Sequence, residues 1–263
     1  MVAHSALITV MEKAARKAAP RLRRDFNEVD ALQVSRKGPA DFVSNADRAA
    51  EAAIAEILTH ARPDWGLVLE EAGEKAGNNC RWIVDPLDGT TNFLHGMPHF
   101  AISIAAEVDG EVVAGLIHQP LTGESFWAEK GRGAWLSDRR LRVSARRELN
   151  ECVIATGIPY QGHGDAAKFS NVLSAVMPEV AGIRRFGAAA LDLAWVAAGR
   201  FDGFWETDLS YWDVAAGILL VREAGGFVTD FRGGDAMVAR REIVAGNGNI
   251  QSKLHRLVAG AVR

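Results

Sequence analysis

The sequence predicts a protein of the mixed α+β and α/β class, in which an antiparallel sheet with two helices is followed by alternating strands and helices. In the first half, two strand-like segments, 100–108 and 111–118, flank the dipeptide Asp109-Gly110, which is a strong signal for a β-hairpin. In the second half, short apolar runs alternate with helical patterns, as expected of helices packed on a sheet. We therefore expect two halves of different topology.

We expect these halves to pack as one compact unit, an α+β half over residues 1–145 and an α/β half over 146–263. The sequence has no internal repeat and no low-complexity linker between them. Its 263 residues are 48% hydrophobic and 24% charged, an ordinary globular composition. A chain of this length buries roughly 70–75% of its unfolded surface, so it needs neither a disulfide framework nor a structural zinc ion.

Charge and cysteine content disfavour several classes of protein. The formal net charge of −3 argues against a general nucleic-acid binder, and we interpret the run of Arg21, Arg23 and Arg24 as a solvated helix face rather than an interaction patch. Cys80 and Cys152 lack metal-ligand spacing, which favours a reducing, cytoplasmic setting. The sequence shows no signal-peptide pattern, and no stretch approaches the ~18 apolar residues of a membrane span.

Two helices are predicted near the start of the chain. Apolar residues recur at helical spacing over 3–26, which predicts an amphipathic helix. Ser44 stands where an N-cap belongs before the Ala-rich run 49–58, which predicts the second helix. This start places Asp47 in the first turn of that helix.

Two short apolar strands run into carboxylates. Residues 67–69 lead into Glu70, and residues 82–84 lead into Asp85. Side chains at strand ends leave the core while keeping a rigid base, so functional residues are often found there.

The second half is predicted to alternate regularly. Strands are expected at 152–155, 183–185, 203–205, 227–229 and 243–245, and helices at 166–176, 188–198, 214–224 and 250–262. Asp213 directly precedes one of these helices, so its carboxylate is expected at a helix start.

The segment 85–91, Asp-Pro-Leu-Asp-Gly-Thr-Thr, is the strongest candidate for chemistry. Pro86 stiffens the exit from the strand, and Gly89 permits an unusual turn or a close approach to a ligand. Two carboxylates and two hydroxyls form a donor set for hard cations, which prefer oxygen ligands. An Asp-rich turn joined to a helix cap is the structural alternative.

The chain resembles the inositol monophosphatase family of lithium-sensitive, magnesium-dependent phosphatases. Residues 85–92 match that family's first signature, and 212–217 match its second. Residues 41–47 and 70–71 match two further elements in the right order, so the likeness covers nearly the whole chain. The resemblance implies a layered α-β-α-β-α sandwich of the sugar-phosphatase type, a homodimer and inhibition by lithium.

The resemblance also implies a site with two or three Mg²⁺ ions. Their ligands would be Glu70, Asp85, the backbone carbonyl of Leu87, Asp88 and Asp213. Thr90, paired with Asp47, would orient and help deprotonate the attacking water, and Glu70 would support the third ion. Two carboxylates at ~4 Å repel by about 4 kcal/mol at an effective dielectric of 20, and divalent cations remove this cost.

The substrate contacts follow from the same resemblance. They would be made by Asp88, Gly187, Ala188, Ala189, Glu206 and Asp213, with Glu206 accepting a hydrogen bond from a sugar-like hydroxyl. Independently of the resemblance, we hypothesise that Gly89 and Thr90, at the start of a short helical turn, offer backbone N–H groups to the phosphate. Ala188 departs from the Ser or Thr that the family often has, which weakens the case for inositol itself.

We expect hydrolysis of a small phosphorylated polyol, with inositol 1-phosphate the leading substrate. Histidinol phosphate, fructose bisphosphate and 3′-phosphorylated nucleotides are alternatives on the same framework. A regulatory partner of nucleic-acid machinery is the alternative outside the enzymes, with only the basic run near the N-terminus to support it. His95 and His99 are expected to have structural or rim roles.

Overall fold

The computed structural model of the protein describes residues 4–28, 34–38, 41–160 and 162–262. The segments 34–38 and 41–44 are described by their backbone alone, so the predicted N-cap side chain of Ser44 lies outside the described part. The helices are α1 (Ala6–Asn27), α2 (Asn45–Ala61), α3 (Thr90–Leu94), α4 (Ala166–Val176), α5 (Ala189–Ala197), α6 (Tyr211–Glu223), α7 (Met237–Arg240) and α8 (Gly248–Ala261).

The strands are short, and most lie in two sheets. They are β1 (Val34–Gly38), β2 (Asp41–Ser44), β3 (Gly66–Leu69), β4 (Gly73–Lys75), β5 (Cys80–Asp88), β6 (Ala101–Val108), β7 (Glu111–His118), β8 (Ser125–Glu129), β9 (Gly133–Leu136), β10 (Arg139–Arg140), β11 (Val153–Thr156), β12 (Gly182–Arg184), β13 (Gly203–Thr207), β14 (Phe227–Thr229) and β15 (Glu242–Gly246). β1 and β2 form a separate antiparallel pair.

The larger sheet has eight strands in the order β10-β9-β8-β7-β6-β5-β3-β4. Its neighbours pair antiparallel except β3 and β5, which run parallel. The predicted hairpin is confirmed, since β6 and β7 meet at Asp109 and Gly110 with φ of 51° and 80°. Positive φ at both turn residues is what a tight hairpin with right-twisted strands requires.

The smaller sheet has five strands in the order β12-β11-β13-β15-β14. β11 lies between β12 and β13 and is parallel to both, while β15 pairs antiparallel with β13 and β14. The predicted mixture of an antiparallel half and an α/β half is therefore observed.

The layer to which each helix belongs is shown by the hydrophobic core that its buried residues join. α1 and α2 bury Ile8 and Ile54 against one face of the eight-stranded sheet. α5 and α6 pack between the two sheets, and α4 and α8 bury Val172 and Leu254 against the outer face of the five-stranded sheet. This arrangement is the α-β-α-β-α sandwich that the resemblance implies.

The central layer explains why α6 is apolar on all sides. Every residue from 214 to 221 is buried, as expected of a helix covered on both faces. Small residues let it approach the large sheet, because a Cβ on Gly115 of β7 would lie 2.9 Å from Cα of Ala216. The start of α6 is tied to the same sheet by the Ser103 hydroxyl, which donates to the carbonyl oxygen of Trp212 at 3.2 Å and lies on β6 opposite Asp85.

The strand that carries Asp85 extends beyond its predicted end. The apolar run 82–84 indicated a strand that ends before Asp85, but β5 continues to Asp88. Asp85 still pairs with Ser103 and Asp88 with Ala101, and the register shifts between these pairs. The shift is a bulge at Pro86, which has no N–H to give to the ladder.

The other predicted strands and helices are present with boundaries that differ by a few residues, whereas β1, β2, β4, β9, β10 and α7 were not predicted. Of these, β4, β9 and β10 are two to four residues long, too short to show an alternating pattern. Among the described residues, no helix is both long and apolar enough to cross a lipid bilayer.

Candidate active site

A cavity of about 590 Å³ opens between the two halves of the chain. Its walls include most of the residues that the sequence singled out: Glu70, Asp85, Leu87, Asp88, Gly89, Thr90, Gly187, Ala189, Glu206 and Asp213. The cavity therefore brings together elements that are far apart in sequence. These are the end of β5, the turn after β3 and the starts of α5 and α6.

The bulge at the end of β5 aims two carboxylates into this cavity. Asp85 Oδ1 accepts a hydrogen bond of 2.9 Å from the backbone N–H of Leu87, which fixes the side chain over its own turn. Asp88 Oδ2 accepts a hydrogen bond of 2.8 Å from the N–H of Ala190, in the first turn of α5. A helix start favours negative charge, so α5 holds Asp88 in place across the two halves.

Gly89 directs the chain from β5 into the short helix α3. Its φ of 91° lies in the left-handed region, which glycine adopts without steric cost. A Cβ there would also lie 3.0 Å from the carbonyl oxygen of His99 and 3.3 Å from Cβ of Ala188. Ala188 is 1% exposed and packs behind the turn, so it is not among the cavity-lining residues.

Thr90 and Asp47 form the predicted pair. The Thr90 hydroxyl lies 3.2 Å from Asp47 Oδ1 and 3.0 Å from the carbonyl oxygen of Leu87. Asp47 lies in the first turn of α2, as the sequence predicted, and its side chain is fully buried. A buried carboxylate therefore lies directly behind a hydroxyl at the cavity wall.

Asn92 is a structural member of the site that the sequence interpretation missed. Its Nδ2 lies 2.8 Å from the carbonyl oxygen of His99 and 2.7 Å from that of Phe186, to both of which it can donate. The side chain is 2% exposed. Asn92 thus connects α3 to the loop before Gly187, and these hydrogen bonds fix the relative position of the two cavity walls.

Asp213 enters from the start of α6. The helix begins at Tyr211, so Asp213 is its third residue rather than the residue before the helix. Its Oδ2 accepts a hydrogen bond of 2.7 Å from the N–H of Ser210, the N-cap position. This N-terminal contact orients the carboxylate and stabilises its charge.

The carboxylates raise one another's pKa. Burial, and then the charges of Glu70, Asp88 and Asp213, raise the pKa of Asp85 well above its ordinary value. Burial raises the pKa of Asp88 to about 7, although the N–H of Ala190 opposes that rise. The pKa of Asp213 is also raised, chiefly by burial and then by Asp88. The cavity therefore holds more negative charge than its surroundings stabilise.

The donor set fits a hard divalent cation. Carboxylates and a backbone carbonyl are the oxygen ligands that Mg²⁺ prefers, and a cation would offset the crowded negative charge. Within the described ranges, however, no group of three or more His, Cys, Asp or Glu side chains is already arranged to hold a metal ion.

Glu206 occupies the other side of the cavity. It lies on β13 against Gly157, where a Cβ would be 1.8 Å from its Oε1. Burial, and then the charges of Asp213 and Asp88, raise the pKa of Glu206 to about 8. Two cationic side chains, Arg185 and Arg241, also line this cavity.

A smaller chamber of about 120 Å³ adjoins the main cavity beyond Glu206. Tyr160 and His163 line both spaces and stack on one another with ring centroids 4.6 Å apart. Nothing in the sequence pattern distinguished these rings, because they lie in a loop without periodicity. The cavity therefore extends further on the Glu206 side than its carboxylates alone suggest.

The two histidines near the first signature have different surroundings. His95 lines the cavity from an exposed position. His99 packs against the rings of Phe186 and Trp195, at centroid distances of 5.0 and 5.3 Å, and burial lowers its pKa to about 4.

The basic run near the N-terminus lies on an exposed face of α1, as predicted. Arg21 and Arg24 both contact the carboxylate of Asp25, at 3.2 and 3.3 Å. Part of its positive charge is therefore balanced within the helix.

Comparisons with known proteins agree with this geometry. The model of the inositol monophosphatase family matches residues 4–263. An inositol-1-monophosphatase from Rhizobium meliloti is 56% identical over 259 residues, covering 98% of this chain and 97% of that protein. The Nus factor SuhB of Escherichia coli strain K12 is 44% identical over 243 residues, covering 92% and 91% of the two chains. The crystal structure of the extragenic suppressor protein suhB from Bartonella henselae superposes with a TM-score of 0.94 at 57% identity, covering 97% of this chain and 98% of that one.

Proposed function

The chain belongs to the inositol monophosphatase family, and on that premise we propose that it hydrolyses a small phosphate monoester, with inositol 1-phosphate its leading substrate. The products are the free alcohol and inorganic phosphate. The observation that carries the proposal is the meeting of four acidic side chains, Glu70, Asp85, Asp88 and Asp213, in one cavity beside the Thr90–Asp47 pair.

Two or three Mg²⁺ ions are the proposed cofactor. The residues that would hold them are Glu70, Asp85, Asp88, Asp213 and the carbonyl of Leu87. When bound, Mg²⁺ lowers the pKa of a coordinated water and stabilises the charge that develops on the phosphoryl oxygens.

The chain's own groups orient and deprotonate the nucleophile. The Thr90 hydroxyl can accept a hydrogen bond from the attacking water while it donates its own proton towards Asp47. As one water proton passes to the Thr90 oxygen and the Thr90 proton passes to Asp47, the water oxygen forms the new bond to phosphorus. The bond to the alcohol oxygen breaks at the same time, and that oxygen takes up a proton from solvent to give the free alcohol. Phosphoryl transfer requires mainly positioning and charge stabilisation, and this rigid pair supplies the positioning.

The remaining contacts would select the alcohol. The backbone N–H groups of Gly89 and Thr90 lie where α3 begins and would donate to phosphate oxygens. Glu206 faces the cavity from β13 and would accept a hydrogen bond from a polyol hydroxyl. Gly187 and Ala189 form the wall beside the phosphate, whereas Ala188 supports that wall from behind.

Phosphate release from inositol 1-phosphate tests the proposal most directly. It would be measured with and without Mg²⁺ for the wild type, for Asp85→Asn, and for Asp64→Asn as a matched change at an exposed position. We expect Mg²⁺-dependent turnover that only Asp85→Asn abolishes. Mg²⁺-independent release, or full activity in Asp85→Asn, would contradict the metal mechanism.

A panel of monoesters separates the substrates. Histidinol phosphate is the main alternative, and fructose bisphosphate and 3′-phosphorylated nucleotides complete the panel. Preference for inositol 1-phosphate is expected from the position of Glu206. A higher kcat/KM for histidinol phosphate would transfer the assignment to that substrate while keeping the mechanism.

Three further properties are proposed from family membership. Lithium is expected to inhibit at the metal position formed by Asp85, Asp88 and Asp213, and full activity at tens of millimolar lithium would contradict this. The chain is expected to be a homodimer, which sedimentation at micromolar concentration would detect. A cytoplasmic location fits its two free cysteines, Cys80 and Cys152.

A regulatory binding role is the second candidate. It is favoured by the name of the Escherichia coli relative, a Nus factor. The substitution Asp88→Asn distinguishes the two roles, since it removes a proposed metal ligand while keeping an oxygen that can accept from the N–H of Ala190. A cellular function that survives this change without hydrolysis would establish a separate binding role.

A further inference from the structure

Two buried carboxylates project from one face of α2. Asp47 and Glu51 are four residues apart, which places their side chains one helical turn apart on the same face. Asp47 is 0% exposed and Glu51 is 4% exposed. Asp47 contacts Thr90 at the cavity wall, as described above. Glu51 is the second buried acidic residue on this face of α2.

Glu51 holds the turn that carries Glu70. Its Oε2 accepts a hydrogen bond of 2.8 Å from the N–H of Glu71, and its Oε1 accepts one of 2.9 Å from the N–H of Ala72. These N–H groups directly follow Glu70 in the turn between β3 and β4. One carboxylate therefore fixes two successive peptide units with its two oxygens.

The backbone of Glu70 is thereby restrained from two sides. Its own N–H donates to the carbonyl oxygen of Val84 at 3.3 Å, which ties it to β5. The next two peptide units are tied to α2 through Glu51. The direction in which Glu70 leaves its strand is set by these contacts together.

We propose that Glu51 is a positioning residue for Glu70, and that α2 sets the geometry between Glu70 and the Thr90–Asp47 pair. The proposal rests on the proposed function only in taking Glu70 as a cation ligand. A carboxylate is required at position 51, because a carboxamide offers one acceptor oxygen and would turn its NH₂ group towards the second N–H donor.

The test compares Glu51→Gln with Glu56→Gln, the same change on the exposed face of α2. Mg²⁺ binding is measured by calorimetry without substrate, and exchange of the amides of Glu71 and Ala72 is followed by NMR. We expect about tenfold weaker Mg²⁺ binding in Glu51→Gln, the lower end for loss of a residue that orients a metal ligand. Faster exchange at one or both amides is also expected, with Glu56→Gln unchanged in both measurements.

Hydrolysis is recorded separately, over a range of Mg²⁺ concentrations. We expect Glu51→Gln to shift the Mg²⁺ dependence to higher concentration while leaving KM for the monoester at saturating Mg²⁺ within about twofold. If the wild type binds Mg²⁺ in a Glu51-dependent way but hydrolyses no monoester, the proposed function fails and the positioning role stands.

Two results would overturn the inference. One is wild-type Mg²⁺ affinity in Glu51→Gln despite faster amide exchange, because Glu51 would then only stabilise the turn. The other is a wild type that binds no Mg²⁺. Should Glu51→Gln fail to fold, Glu51→Asp keeps the charge on a side chain shorter by one methylene, and we expect it to weaken Mg²⁺ binding in the same way.

Discussion

The Thr90 hydroxyl reaches Asp47 at 3.2 Å although the two residues lie 43 positions apart, on α3 and α2. The same hydroxyl lies 3.0 Å from the carbonyl oxygen of Leu87. A hydroxyl has a single proton to donate, so these two acceptors compete for it. The Thr90 hydroxyl is therefore held between two acceptors, and it can donate its proton either to the Asp47 carboxylate or to the Leu87 carbonyl oxygen.

Replacing Thr90 by Val should remove activity with little effect on the fold. The isosteric change deletes the hydroxyl that orients the water, and loss of a positioned proton-transfer group typically lowers kcat by about 10²–10⁴. Thr90→Ser keeps the hydroxyl and should retain most of kcat. Steady-state kinetics at saturating Mg²⁺ and thermal melts would check this, and a Thr90→Val enzyme within twofold of wild type would refute the role.

Neutralising one carboxylate should stabilise the metal-free protein. The pKa of Asp88 is raised to about 7 by burial, so the folded state holds a proton at pH values where the unfolded chain, with its ordinary pKa of 3.8, has lost it. Stability therefore falls as pH rises through this window, and the charged form is unfavourable at pH 8. We expect Asp88→Asn to raise Tm without metal, by about 2–4 °C for each kcal/mol gained.

The same variant should lose the gain in Tm that Mg²⁺ gives to the wild type. A ligand that binds only the folded state raises its stability in proportion to the logarithm of its concentration. Melts at pH 8 with chelator and with Mg²⁺ would measure both effects. A Tm without metal below that of the wild type would show that the hydrogen bond to Ala190 outweighs the relief of repulsion.

Gly157→Ala should change substrate selection without touching the metal ligands. A Cβ at this position would overlap the Glu206 carboxylate, and the side chain would have to turn away. In assays at pH 9, above the pKa of about 8 that burial gives Glu206, we expect KM for inositol 1-phosphate to rise about tenfold or more. The reason is that the loss of a hydrogen bond to a charged group is worth about 1.5–3 kcal/mol. The kcat for p-nitrophenyl phosphate, which has no polyol hydroxyl, should stay within about twofold. Equal losses on both substrates would contradict a role of Glu206 in polyol recognition.

Two of the metal-ligand candidates, Glu70 and Asp213, could be proposed from local patterns because each stands at one end of an element with a clear pattern. Glu70 follows an apolar strand, and Asp213 lies at the start of a strongly apolar helix. Glu51 was not predictable. It lies in the same Ala-rich helix as Glu56, and only the packing shows that one is buried and the other exposed.

The end of β5 shows a second limit of local patterns. Pro86 argues against a continuing strand, and only the pairing of Asp88 with Ala101 of β6 reveals that the strand resumes after a bulge. Asn92 is similar, because its partners, the carbonyl oxygens of His99 and Phe186, are brought together by the fold. Contacts between distant segments decide these features.

The buried His118 should make the protein less stable in mild acid. It is 6% exposed on β7, its Nδ1 lies 2.8 Å from Ser125 Oγ, and burial, with smaller effects of Arg16 and Arg23, lowers its pKa to about 4. The unfolded chain takes up this proton at the ordinary pKa of 6.5, whereas the folded chain does not until about 4. Between these values the unfolded state holds more protons, so stability falls as pH falls.

The size of the His118 effect can be isolated with His118→Gln, whose amide can still bond to Ser125. One ionisable group can change the free energy of unfolding by at most about 1.4 kcal/mol per pH unit. As the pH falls from 6.5 to 4, the free energy of unfolding of the wild type should therefore decrease relative to that of the variant. Urea unfolding at several pH values would measure the difference, with the exposed His60→Gln as a matched control. Because the cavity carboxylates and His99 are common to both proteins, their contributions cancel in the comparison. A difference independent of pH would show that His118 has the same pKa in the folded and unfolded states, against the lowering that its burial predicts.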